Sequence, residues 1–251
     1  MLMLYTTIGA AIGIILLFAI SFAMEKFSWR RFTVKNIAIL GVLVALSVTL
    51  TNVIGYTVIF GMKIMLGNFV VFLTGMVFGP LAGVVTGLAS DTVGAFIHLG
   101  GVFHLGFMFI KILIGFVGSL VFAFKSNRYW VVKMVVAYVL FILVHLFFLT
   151  PLFTWALYGT SFAQVNFIKK AILAPFQMVV YPFLTYSCFN VLWVLLRKDV
   201  GTSRAVWVGR HGTLNLVVKP RKTEYQKLIE SKAVKPRKRV FNRQKSIKKD
   251  A

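Results

Sequence analysis

Acidic side chains are nearly absent from this chain: six Asp+Glu stand against 28 Lys+Arg, for a net charge of +22. Only Glu25 and Asp91 precede residue 197. That shortage argues against active sites built on several carboxylates, including a lipid-headgroup transferase with metal-binding acids. Cysteine is as scarce. Cys188 stands alone, so no disulfide framework can form within the chain. Charge of either sign is thin, at 14% of residues against about 25% in a typical soluble domain. With 59% of residues hydrophobic, no soluble domain of this length has room to bury the apolar surface. Two motifs are missing as well. There is no G-x-x-x-x-G-K-[ST] loop for ATP and no G-x-S-x-G nucleophile elbow. The chain is therefore expected not to be an enzyme and to need no cofactor. If it takes part in pumping, a separate partner must hydrolyse the ATP.

What is present is long apolar runs. A helix needs roughly 20 apolar residues to cross a bilayer. Residues 2–24 carry no charge; the run is too long for a signal-peptide core and lacks a basic leader. Further apolar segments lie at 36–55, 64–79, 80–97, 103–124, 131–149 and 167–196. The fourth is separated from the third at Gly79-Pro80, because proline stops one helix and suits the first turn of the next. The runs are continuous rather than alternating, which excludes barrel strands. The expected fold is an all-α membrane bundle. Its sidedness follows from Lys/Arg in short loops. The 25–35 and 125–133 segments and the tail hold 24 basic residues; the opposite side holds Lys63, Lys169 and Lys170. The N-terminus and an uncharged loop at 150–166 are thus expected outside, and the tail in the cytoplasm.

Residues 197–251 hold 17 basic and four acidic residues. The run from Lys235 to Lys249 is expected to be disordered. Attraction to anionic lipid, at about 1 kcal/mol per basic residue near the surface, is the plainer role. Binding to nucleic acid or the ribosome is the other, and an insertase that holds ribosomes through this tail is the alternative function.

Polar groups inside spans are costly and mark candidate sites. Here they gather around one external turn at Gly100-Gly101. Asp91 and His98 precede it, His104 and Lys111 follow it, and each pair is seven residues apart, two helical turns on one face. Asp91 and Lys111 are equidistant from residue 101, so in antiparallel helices they reach similar depth, about 10–15 Å below the surface at 1.5 Å per residue. A polar cup open to the outside fits this arrangement, and so does an ion pair that neutralises itself. His98 and His104 lack the further ligands usual for zinc, so no metal is expected. Phe103, Phe107 and Trp155 add aromatic rings near the outer ends. Gly41, Ala45 and Thr49 recur every four residues, a small face that allows close helix approach. Gly75, Gly79, Gly83 and Gly87 are expected to serve internal packing.

The stretch from about 37 to 120 resembles the substrate-binding (S) components of energy-coupling factor vitamin transporters, most closely the folate type. Ala45-Leu46-Ser47 carries the likeness. So do Phe69 to Asp91 (FVVFLTGMVFGPLAGVVTGLASD), Gly94, Gly100-Gly101, Phe103, Gly106-Phe107 and Gly115. The resemblance implies vitamin capture from outside by six helices, here 25–196, with 1–24 as an additional transmembrane helix and 197–251 as a basic tail. It also implies a membrane coupling subunit and two ATPase subunits as partners. The family's docking face for the coupling subunit maps onto Gly41 and Ala45, with Thr49 next on that face. Its substrate lies under the loops that map onto 56–66 and 150–166, so the candidate contacts are Lys63, Asp91, His98, Phe103, His104, Phe107, Lys111 and Trp155. Two positions depart from the folate pattern. Phe103-His104-Leu105-Gly106 lacks the usual proline, and Ile114 stands where an arginine is usual, with Lys111 about one turn away.

Overall fold

A computed structural model describes residues 1–25, 34–54, 65–97, 103–123, 129–200 and 207. All belong to one unit, Met1–Thr213. Their regular elements are helical: α1 (Leu2–Met24), α2 (Val34–Thr49), α3 (Gly67–Phe78), α4 (Pro80–Ile97), α5 (Leu105–Leu120), α6 (Trp130–Val144), α7 (Thr150–Tyr158) and α8 (Thr160–Val200). A π-helical turn, Leu50–Ile54, extends α2, and a second, His145–Leu149, joins α6 to α7. Four stretches are long and apolar enough to cross a membrane: Leu2–Met24, Pro80–Ile97, Trp130–Tyr158 and Thr160–Leu192. The chain is a multi-pass helical membrane protein.

Local chemistry sets the boundaries. Gly79 adopts φ 106°, a backbone region open mainly to glycine, and its N–H donates to the Gly75 carbonyl at 3.0 Å. Pro80 then opens α4 in the position where its missing N–H costs nothing. Gly79 is therefore a turn residue, and a buried one. Gly75, Gly83 and Gly87 do pack. A Cβ at Gly75 or Gly83 would strike the Gly115 carbonyl, and one at Gly87 would lie 2.6 Å from the Lys111 carbonyl. The backbones of α3, α4 and α5 thus touch, and around them Val70, Phe72, Met76, Val84 and Ile112 are fully buried.

Two expectations are corrected. The 150–166 segment is not a loop: α7 and α8 run through it, broken only at Gly159 with φ 86°. Absence of charge there reflects apolar helix, not an uncharged linker. The last helix is also longer than 167–196, reaching from Thr160 to Val200 despite Pro175 and Pro182 inside it. Beyond it, Trp207 is buried and its indole N–H donates to the Ser119 carbonyl at 3.1 Å. The start of the basic tail is thereby tied to the end of α5.

Candidate functional site

The glycine contacts set the site's register. Gly87 lies against the backbone of Lys111 and Ile112. One turn further along α4, Asp91 meets the Lys111 ammonium, Oδ1 to Nζ, at 3.6 Å. The same ammonium reaches the Ser90 carbonyl at 3.5 Å. The two charges stand beside a cavity of about 230 Å³. It lies near the lower end of small-molecule pockets, about 300–1,000 Å³.

Several helices line this cavity. Asp91, Gly94 and Ala95 come from α4; Phe107, Ile110 and Lys111 from α5, with Phe103 and His104 just before it. Thr51 and Asn52 come from the π turn after α2, Met65 from just before α3 and Asn68 from its first turn, His145 from the second π turn, and Lys170 from α8. Two π turns thus border one cavity, as such turns often do at functional sites. The Asn52 amide donates to the Gly94 carbonyl at 3.4 Å, tying α2 to α4. The Thr51 hydroxyl is buried without a hydrogen-bond partner among the described residues. A buried orphan hydroxyl costs about 1–3 kcal/mol.

His104 is fully committed. Its Nδ1 accepts the Gly106 N–H at 2.9 Å, which caps α5. Its Nε2 faces the Thr7 hydroxyl of α1 at 3.2 Å. It therefore offers the cavity a ring edge rather than a free nitrogen, packed near Phe107 and Phe153.

Of the residues singled out by sequence, Asp91, Phe103, His104, Phe107 and Lys111 line this cavity together. Trp155 does not. It is half exposed and borders a separate apolar groove with Phe147, Leu152 and Phe167. Lys63 and His98 lie outside the described residues. Sequence reasoning missed Thr51, Asn52, Asn68, His145 and Lys170. The available signal was their polarity within apolar runs, which Lys170 and His145 carry plainly. Among the described residues no cluster of three potential metal ligands occurs. The Gly41, Ala45 and Thr49 face is exposed, with open space around Gly41.

The family described as ECF transporter, substrate-specific component, matches residues 35–196. The chain belongs to that family. This S component is the substrate-binding subunit of an ECF-type vitamin importer and not an enzyme, and its membership brings a membrane coupling subunit and ATPase subunits as partners. The ribosome-binding insertase gives way to this assignment. A solved structure of FolT bound with folic acid is similar at 25% identity and a TM-score of 0.55, over 64% of this chain and 98% of that one. No curated protein matches.

Proposed function

We propose that the S component captures folate or a closely related flat, acid-bearing vitamin from outside the cell, in the cavity between α4, α5 and α8. The observation that carries this reading is a surplus of positive charge in an aromatic-rimmed cavity. Two lysines, Lys111 and Lys170, line it with one carboxylate, Asp91. Asp91 pairs with Lys111, and Glu25, the other acid before residue 197, accepts from the Leu81 N–H near the start of α4. Asp199 is 29 residues further along α8, about 40 Å away at 1.5 Å per residue. Lys170 has no carboxylate partner among the described residues. An unpaired cation at membrane depth costs about 2.5–3.5 kcal/mol on insertion scales, and an anionic ligand supplies the missing partner. The likeness to FolT bound with folic acid supports the same ligand class. Asp91, Phe103, His104, Phe107 and Lys111 belong to this site in our reading, joined by Thr51 and Lys170; Lys63 and His98 are assigned to it on the sequence alone.

The rest of the assembly follows. Residues 25–196 form the six-helix core, preceded by the helix of 1–24 and followed by the basic tail of 197–251. The cavity opens outside. The tail lies in the cytoplasm, against anionic lipid in preference to nucleic acid. Opposite placement of the two ends supports this sidedness: the tail's Trp207 bonds α5 at Ser119, two helical turns beyond Lys111. The exposed Gly41, Ala45 and Thr49 face receives the coupling subunit.

Calorimetric titration of the full-length protein in nanodiscs with folic acid tests the ligand, alongside mass spectrometry of co-purifying small molecules. Tight binding that falls at least about tenfold in Lys170→Met, the loss of one charge-assisted contact, is expected. Absence of folic acid binding, or an unaltered Lys170→Met, would refute the reading.

A further inference from the structure

The helix Leu2–Met24 lies before the family match, which starts at residue 35. It is nevertheless built into the bundle along its length. Glu25, at its end, is buried and accepts the Leu81 N–H at 3.1 Å, satisfying a backbone donor in the first turn of α4. Leu17 packs with Val84, Met108 and Ile112. Gly13 sits so close to α5 that a Cβ there would lie 2.7 Å from the Phe109 ring. At the other end Thr7 reaches His104.

That last contact has a fixed direction. The Nδ1 of His104 accepts the Gly106 N–H at 2.9 Å. An accepting ring nitrogen carries no proton, so in the neutral imidazole the proton is on Nε2. Nε2–H therefore donates to the Thr7 hydroxyl at 3.2 Å. The Thr7 hydroxyl spends its own proton on the Met3 carbonyl at 2.7 Å, leaving its lone pairs for the histidine. The chain Gly106, His104, Thr7, Met3 thus runs in one donor direction. The ring so held lines the ligand cavity, with Phe153 at 5.7 Å and Phe107 at 6.2 Å between centroids.

We propose that Thr7 is a positioning residue of the binding site: through its hydroxyl, the N-terminal helix fixes the tautomer and orientation of His104 and so forms a working wall of the cavity. This rests on reading that cavity as the vitamin site. It gives the helix a role in capture rather than in anchoring alone.

The test uses the full-length protein in nanodiscs, with ¹⁵N-histidine labelling read by solid-state NMR without ligand, then folic acid titration. Thr7→Val removes the acceptor at nearly constant volume, and Thr7→Ser restores it. The wild type should show the Nε2-protonated neutral ring. Thr7→Val should shift that signal and weaken folic acid binding about three- to tenfold, the scale of one hydrogen bond, while Thr7→Ser behaves as wild type. The proposal falls if Thr7→Val leaves the histidine signal unchanged, if the signal moves with no change in affinity, or if Thr7→Ser is as impaired as Thr7→Val. If the wild type fails to bind folic acid, the ligand assignment falls separately, and the histidine signal alone then decides whether Thr7 positions the ring.

Discussion

Truncating either member of the Asp91–Lys111 pair should weaken vitamin capture, and the two losses should not add. At 3.6 Å the pair's attraction has an upper bound of about 4–5 kcal/mol at an effective dielectric near 20, and about 1 kcal/mol in bulk water. Lys111 is 9% exposed and Asp91 22%, so the setting lies between those limits. Contacting residues couple by about 0.5–3 kcal/mol, and the expected coupling here is about 1–3 kcal/mol, or roughly five- to 150-fold in a binding constant. The singles should differ. In Asp91→Ala the ammonium keeps the Ser90 carbonyl at 3.5 Å. In Lys111→Ala the carboxylate loses its lysine, so that variant should bind folic acid more weakly. Calorimetry on the two singles and Asp91→Ala/Lys111→Ala, each checked for folding by thermal melting, closes the cycle. A double mutant less impaired than the product of the single losses is expected. Losses that simply multiply would mean that the charges act independently, and normal binding by both singles would place the vitamin elsewhere.

Two further outcomes are expected. Ala45→Trp fills the exposed small-residue face beside Gly41; folic acid binding should persist while uptake and co-purification with the coupling subunit are lost, and an intact complex would remove this face from docking. A cysteine placed at Ser126 should resist membrane-impermeant thiol reagents in intact cells and react after lysis, whereas labelling from outside would invert the sidedness drawn from 24 basic residues against three.

Much of the candidate site's grouping was legible because it depends on local geometry. Asp91 and Lys111 could be matched by counting from a shared turn, since rise per residue is constant in helices. Thr51, Asn52 and His145 could not. They sit on π turns, whose wider winding departs from the 3.6-residue period that predicts faces. Lys170 was counted only as one of three basic residues on the outer side, and the 150–166 segment was read as a loop because a helix broken by one glycine and an uncharged linker look alike in composition. Trp155 looked like a rim aromatic, yet its helix turns it to a different groove.

The sequence by itself determined that the chain lives in a membrane, where its helices break at Gly79-Pro80, and that its core holds only two carboxylates. These are properties of composition and of single residues, and no partner is needed to express them. Which helix faces which was decided only by the fold. Gly75, Gly83, Gly87 and Gly115 let three backbones touch; that contact fixes the depth at which Asp91 meets Lys111, and Lys170 lines the same cavity without an acid partner among the described residues. Thr7 is one polar residue in an apolar run until packing carries it across 97 residues of sequence to His104. Such pairings arise from close approach between distant segments, which no local pattern encodes.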